Sequence, residues 1–255
     1  MIELGLIGYP LTHSFSESYF CEKFKEEKIS GYSYSKFELS SIGEFPSLLE
    51  SRPGLRGLNV TIPYKQQVIR YLDELDELSA AIEAVNTVLI SRTHGGISLK
   101  GYNTDVYGFY HSLKPMLPSG ETRALVLGTG GASRAVVHAL NLLGIDHKFV
   151  SRKPGAGMLG YKDLCLTVLN KYRLIINTSP IGTYPSVDEF PDVPYDLMDD
   201  RHILYDLVYN PPETKFLELG RLKGARTVNG LKMLKLQAEK SWEIWTGDPG
   251  RVKMI

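Results

Sequence analysis

Cysteine is scarce in this chain. Only Cys21 and Cys165 occur in 255 residues, and neither has a metal-type spacing. Both fall in otherwise apolar helical patterns and read as reduced core thiols. An excess of either charge is missing too: 29 basic and 29 acidic side chains give zero formal charge, which argues against a nucleic-acid or anionic-membrane partner. No apolar run approaches the roughly 18 residues that span a bilayer. Met1-Ile2-Glu3-Leu4 has neither a basic n-region nor a cleavage site, so a soluble, cytoplasmic protein is expected. The six histidines are scattered, without i, i+4 pairs beside carboxylates, and no metal site is expected. With 43% hydrophobic residues, the length allows one large or two modest domains, each with a real core.

What is present centres on residues 122–152. Arg123 to Leu127 is a short apolar run suited to a strand buried on both faces. It ends in Gly128-Thr129-Gly130-Gly131-Ala132-Ser133, and helical spacing follows from Ala135 to Leu143. Gly144 closes that helix, and His147 to Val150 reads as the next strand. This order sets a pyrophosphate on a helix N-terminus. Gly128 permits the tight turn, while Gly130 and Gly131 let backbone N–H groups approach phosphates. The end of the second strand reads Val150-Ser151-Arg152-Lys153, where an NAD site usually carries Asp or Glu for the ribose 2′-OH. A hydroxyl and two cations suit a 2′-phosphate instead, which favours NADP.

Upstream, Ile2 to Tyr9 reads as a strand, and a helix follows with Phe15, Tyr19, Phe20 and Phe24 on one face. Ser14 and Ser16 stand at the handover, as caps or as carboxylate-holding hydroxyls near the positive helix end. Tyr32 to Leu39 is a second strand and Ser41 to Leu49 a helix. In Asn59-Val60-Thr61-Ile62-Pro63-Tyr64-Lys65 a strand stops at Pro63, which suits the first turn of a helix through Gln67, Val68 and Tyr71. Lys65 would lie in that turn, where the helix dipole disfavours an ammonium and a nearby carboxylate would favour it. Glu74 to Ala84 reads as helix and Val85 to Ile90 as a strand. Asn86 and Thr87 are polar groups in an apolar run and need partners. His94-Gly95-Gly96 suits a hairpin turn.

Asp105 falls in the first turn of a helix carrying Val106, Phe109, Tyr110 and Leu113, where the dipole favours a carboxylate. Arg173 to Asn177 is another strand, ending in the polar loop Asn177-Thr178-Ser179-Pro180 at a position where such sheets bind ligands. Tyr184 to Asp196 reads as surface loop. Ile203 to Val208 is a buried strand and Arg226 to Val228 a short one. A last long helix carries Leu231, Leu234, Ala238 and Trp242 as its apolar stripe, with Gln237 on another face.

These blocks, in this order, resemble one family. Gly8-Tyr9-Pro10 with His13-Ser14-Phe15-Ser16, Asn59 to Lys65, Ala84-Val85-Asn86-Thr87, Gly101 to Asp105, Gly128 to Arg134, Ile176 to Gly182, Tyr205 to Pro211 and Asn229-Gly230-Leu231 together look like shikimate dehydrogenase. The resemblance implies an α/β, two-domain fold. An N-terminal α/β substrate-binding catalytic domain would cover residues 1–102, joined by the C-terminal helix at 231–255. A C-terminal Rossmann-type NADP-binding domain would cover 103–230. It implies reversible, NADP-dependent reduction of 3-dehydroshikimate to shikimate. Lys65 and Asp105 would be the catalytic pair. Ser14 and Ser16 would hold the substrate carboxylate, Thr61, Asn86, Asp105 and Gln237 the ring hydroxyls, and Tyr209 a further substrate contact. Gly128, Thr129, Gly130, Gly131 and Ala132 would bind the pyrophosphate, and Ser151 and Arg152 the 2′-phosphate. Thr178, Leu207 and Gly230 would lie near the nicotinamide, with Glu77 a weaker cofactor candidate. The expected partners are a small-molecule substrate and NADP, with no nucleic acid or membrane, in a monomer or homodimer.

The chain departs from the family pattern at Glu17, usually proline, at Phe20, commonly histidine, and at Ser151 and Lys153, where an Asn-Arg-Thr run is typical. Two other readings remain open: a quinate/shikimate dehydrogenase with broader substrate or NAD use, and a non-catalytic NADP-binding regulatory protein on the same scaffold.

Overall fold

Short aliphatic runs alternate with helices along the chain. In the computed structural model, which describes residues 1–11, 15–94 and 96–247, they build two separate six-stranded sheets. The chain divides into two compact units: Met1–Thr104 with the chain from Gln237 onward, and Asp105–Leu236.

The first unit runs β1 (Ile2–Gly8), α1 (Phe15–Glu26), β2 (Tyr32–Glu38), α2 (Phe45–Ser51), β3 (Leu55–Val60), β4 (Glu74–Leu75), α3 (Glu77–Ile82), β5 (Thr87–Thr93) and β6 (Gly96–Tyr102). Its sheet order is β2-β1-β3-β5-β6-β4. β1 is parallel to β2 and β3, whereas β5 is antiparallel to β3 and β6. The period of two along β1 sends Leu4 and Leu6 to one core and Ile7 to another.

The second unit runs α4 (Asp105–Leu113), β7 (Arg123–Leu127), α5 (Gly131–Leu142), β8 (Asp146–Ser151), β9 (Leu159–Gly160), α6 (Leu166–Lys171), β10 (Leu174–Asn177), β11 (Ile203–Asp206), α7 (Lys215–Leu222) and β12 (Arg226–Val228). Every pairing is parallel, in the order β12-β11-β10-β7-β8-β9. β10 and β11 are buried along their whole length, as expected of parallel strands covered on both faces. The chain leaves β7 for β8 on one side and returns to β10 on the other, so β7 and β10 flank a topological switch point.

The last helix, α8 (Leu231–Thr246), buries Gln237, Ala238, Ser241, Trp242 and Trp245. Trp245 packs beside Phe20 and Tyr34, and its indole Nε1 donates to the Val88 carbonyl at 3.0 Å. The ring presses so closely on β3 that a Cβ at Gly57 would lie 2.4 Å from two of its atoms.

Several elements differ from the sequence expectation. No helix begins at Pro63: residues 61–66 form turns, and a five-residue 3₁₀ segment follows over Gln67–Tyr71. The Lys65 carbonyl, which would accept from Ile69 in an α-helix, accepts from Val85 N–H at 2.8 Å, and Ile69 N–H turns to Gln66. The helix dipole therefore does not act on Lys65 as expected. Glu74 and Leu75 pair as a strand beside β6, and the helix starts only after Asp76 caps it through Ser79 N–H. β5 begins at Thr87, leaving Asn86 just outside it. On α8, Leu231 and Leu234 are only half-buried, and the deeply buried seam includes Gln237. Cys21 and Cys165 are both exposed free thiols, because the buried positions beside them go to Phe20 and Leu164.

Among the described residues, no helix is long and apolar enough to cross a membrane. We expect Gly57→Ala to cost about 1–3 kcal/mol of stability by overpacking against an indole that its ring neighbours and hydrogen bond hold in place. Urea denaturation should show the midpoint falling with an unchanged slope.

Candidate active site

The carboxyl ends of the second unit's strands carry most of the expected cofactor residues. After β7, Gly128 holds φ +103, a left-handed conformation that favours glycine. A Cβ at Gly130 or Gly131 would meet nothing within 4 Å, so the space around the turn is open. Gly130 caps α5 without a side-chain hydrogen bond. The first N–H groups of the helix thus face that space with the positive end of the dipole. Ser133 stiffens the turn, its hydroxyl donating to the Gly130 carbonyl at 2.7 Å. Open room, glycine backbone and a helix N-terminus fit a pyrophosphate. Thr129 and Ala132 are exposed along the same turn.

Across the switch point, Thr178 is joined to this turn. Its N–H and hydroxyl both bond the Leu127 carbonyl, at 3.0 and 2.8 Å. Leu207 follows β11, and a Cβ at Gly230 would lie 2.1 Å from the Leu207 carbonyl oxygen. Only glycine permits that approach. Tyr209 is half-buried, and burial pushes its phenol up. Ser151 ends β8 and exchanges hydrogen bonds with the Lys153 backbone, both at 3.2 Å. Arg152 is exposed, and its charge is felt at Tyr161, whose phenol burial raises and Arg152 lowers.

Asp206, at the end of β11, is fully buried. Its carboxylate accepts from Asn177 Nδ2 at 2.9 Å, Val208 N–H at 3.0 Å and the Thr214 hydroxyl at 2.6 Å. Burial nevertheless pushes it up to about 6, against the pull of these three bonds.

The first unit gathers a second set. Asn86 Oδ1 accepts the Thr104 N–H at 2.7 Å, and Asn86 Nδ2 donates to Thr104 Oγ1 at 3.0 Å and Gln237 Oε1 at 3.4 Å. A backbone N–H can only donate, so the Asn86 amide has one orientation. Asn59 donates to Ser241 Oγ at 3.0 Å and accepts from Tyr34 at 2.8 Å. Ser241 also meets Thr87 at 2.8 Å and donates to the Gln237 carbonyl at 3.0 Å. Burial pushes the Tyr34 phenol well up, and the Ser16 hydroxyl beside it pulls it down. One buried polar chain therefore joins Tyr34, Asn59, Asn86 and Gln237, with the half-buried Ser16 beside Tyr34. Thr61 and Lys65, both half-buried, lie on the turn after β3, whose last residue, Val60, donates its N–H to the Asn86 carbonyl at 2.8 Å. Ser14 lies outside the described residues. Glu77 sits exposed in the first turn of α3. Asp105 is half-buried and opens α4 directly after Thr104.

Comparison with known proteins decides what this arrangement belongs to. A family model described as the shikimate dehydrogenase substrate binding domain matches residues 6–88. The shikimate dehydrogenase (NADP(+)) of Halothermothrix orenii is 38% identical over 271 residues, 96% of this chain and 90% of the relative. The chain belongs to the shikimate dehydrogenase family. The crystal structure of shikimate dehydrogenase 1 from Peptoclostridium difficile is similar at 35% identity and TM-score 0.83, covering 100% of this chain and 95% of the other. The Thermus thermophilus shikimate 5-dehydrogenase, solved in complex with NADP(H) and shikimate, matches at 31% identity and TM-score 0.83, over 97% and 94% of the two chains. These relatives share the two-part α/β architecture described above.

The family resemblance gave roles to Asn86 and Gln237 but none to Tyr34, Thr104 and Ser241, which hold them. The one available signal was the polar pair Asn86-Thr87 in an apolar run, since such groups need partners. Those partners are side chains up to 154 positions away, as for Thr87 and Ser241. A cavity of about 420 Å³ opens among Arg123, Arg173, Arg201 and Arg226. It lies at the N-terminal edge of the second sheet, whereas such sheets take ligands at the carboxyl edge.

The buried Asp206 carboxyl holds its proton more tightly when folded, at about 6 against an ordinary 3.8. That stabilisation is present in full below pH 3.8 and lost as the pH rises through about 6. Between about pH 4 and about pH 7 the wild type should lose about 2–3 kcal/mol relative to Asp206→Asn. Denaturant unfolding of both proteins across that range checks it; parallel curves would remove the assignment.

Proposed function

We propose that this chain is an NADP-dependent shikimate dehydrogenase, catalysing the reversible reduction of 3-dehydroshikimate to shikimate in chorismate and aromatic amino-acid biosynthesis. The observation that carries the reading is that one chain combines two features. An open Gly128–Ala132 turn stands at a sheet switch point, and a buried hydroxyl-and-amide set joins Tyr34, Asn59, Asn86 and Gln237, with Ser16 beside Tyr34. The first suits a dinucleotide and the second a small polyhydroxylated ring.

The first unit is read as the substrate-binding part and Asp105–Leu236 as the NADP-binding part. Ser14 and Ser16 hold the substrate carboxylate, while Thr61, Asn86, Asp105 and Gln237 take ring hydroxyls, and Tyr209 is a further contact. Gly128, Thr129, Gly130, Gly131 and Ala132 hold the pyrophosphate, Ser151 and Arg152 the 2′-phosphate, and Thr178, Leu207 and Gly230 the nicotinamide end, with Glu77 a lesser contact. When bound, NADP supplies the acceptor for the hydride lost from C3. Lys65 accepts the 3-hydroxyl proton during oxidation. In the reverse direction its ammonium stabilises the developing alkoxide and protonates it. Asp105 orients that ammonium and binds an adjacent hydroxyl. The enzyme is read as a cytoplasmic monomer or homodimer.

Shikimate-dependent NADP reduction, followed by NADPH absorbance, tests the reading. Turnover is expected with shikimate and NADP; preference for quinate or NAD would shift the chain to the broader class, and none with any pair would leave the regulatory reading. Lys65→Ala should lower kcat by about 10²–10⁴-fold with a much smaller change in the shikimate KM. Full turnover in that variant would remove Lys65 from the chemistry.

A further inference from the structure

Among the described residues, Asp206 is the one buried carboxylate, and the reaction as proposed gives it no part. Its surroundings are more than structural filling. Each of its three hydrogen bonds reaches a different segment at the carboxyl edge of the second sheet.

Asn177 ends the neighbouring strand β10. With its Nδ2 fixed on Asp206 at 2.9 Å, its Oδ1 is turned to accept from the Ser179 N–H at 3.1 Å and hydroxyl at 2.6 Å. The turn that carries Thr178 is thereby shaped from Asp206. The bond to Val208 N–H, at 3.0 Å, fixes the backbone just past Leu207. Leu207 N–H in turn donates to the Asn177 carbonyl, and the Val208 carbonyl accepts from Gly230 N–H at 3.1 Å. The third partner, Thr214, caps α7 through Leu217 N–H. Thr178, Leu207, Tyr209 and Gly230 thus lie on segments that depend on one side chain.

A carboxylate suits this task because it accepts only. It meets an amide, a backbone N–H and a hydroxyl without presenting a donor to any of them. An asparagine in its place could keep one oxygen for Asn177 and Val208 but would set its NH₂ against the Thr214 hydroxyl, which must then turn from donor to acceptor. Retaining a buried anion costs desolvation that a neutral residue would avoid, and the compensation is a single geometry for three loops.

We propose that Asp206 is a positioning residue for the nicotinamide end of the cofactor, holding Thr178, Leu207 and Gly230 in the arrangement that hydride transfer requires. The proposal rests on the dehydrogenase reading above. Its signature differs from that of a binding residue. The Gly128–Ala132 turn and Arg152 lie outside the Asp206 bonds, so cofactor affinity should survive while the chemical step slows.

The test compares wild type, Asp206→Asn, Thr214→Val and Thr214→Ser. Asp206→Asn should lower kcat for shikimate oxidation about ten- to a hundredfold, because small misplacements of a reacting group carry penalties of that order. Its NADPH affinity, read from fluorescence titration, should stay within about threefold of wild type, and so should the shikimate KM. Thr214→Val, which deletes one hydrogen bond, should shift kcat in the same direction, and Thr214→Ser should restore it. This pair carries the contrast even if Asp206→Asn fails to fold. A wild-type kcat per folded molecule in Asp206→Asn, with only a lowered melting temperature, would overturn the positioning role. So would equal kcat in Thr214→Val and Thr214→Ser. Absence of shikimate and NADP turnover in the wild type would overturn the underlying activity instead.

Discussion

The first unit depends on a hydroxyl inserted into its core. Ser241 comes from the last helix and meets Asn59 on β3, Thr87 on β5 and Thr104 just before α4, while donating to its own helix at Gln237. Buried polar groups are tolerated only when paired, and a network with every member satisfied specifies one arrangement. This network ties a helix from the far end of the chain into a sheet built by the first hundred residues. Trp245, one turn further on, adds apolar burial and an indole bond to Val88. The polar part selects the register and the aromatic part supplies much of the burial energy. Gln237 reaches its place because Ser241 and Trp245 leave the helix little other choice.

The second unit solves a related problem with the opposite chemistry. There the interiors of β7 and β10 are aliphatic, and the polar residues Asn177 and Asp206 stand at the last positions of β10 and β11. Thr178 bonds to the turn after β7, and Asp206 bonds to the turns after β10 and β11. Loop geometry at a sheet edge is ordinarily soft, because few backbone groups are paired there. Side-chain acceptors at the strand ends remove that softness. In each unit, then, the candidate site is held by polar side chains that stand beneath the residues proposed to touch ligands.

How much of this is legible in the sequence depends on range. The Gly-rich turn, the strands on either side of it and the start of α4 at Asp105 follow from local spacing, since turn chemistry and periodicity act over a few residues. The α/β class follows from the same alternation, whereas the two-domain expectation comes with the family resemblance. Pro63 misleads for a tertiary reason: Val85 N–H takes the Lys65 carbonyl that a helix would need. The buried seam of α8 misleads similarly. Gln237 reads as lying off the apolar stripe until Asn86, Thr104 and Ser241 are packed against it. Cys165 looks internal only because its neighbour Leu164 is. Family resemblance named Asn86, Lys65 and Gln237, whereas the groups that orient Asn86 and Gln237 emerge only from the packed structure.

The placement of the thiols has a practical side. Cys21 rides on α1 in the first unit and Cys165 precedes α6 in the second, each open to solvent. Nature has thereby supplied one attachment handle per compact body, without a competing cysteine elsewhere in the chain. A donor–acceptor dye pair or two nitroxides can be installed on the native polypeptide with no engineered substitution. Spectroscopic rulers of that kind would follow the separation of the two bodies through a catalytic cycle, in solution and in real time.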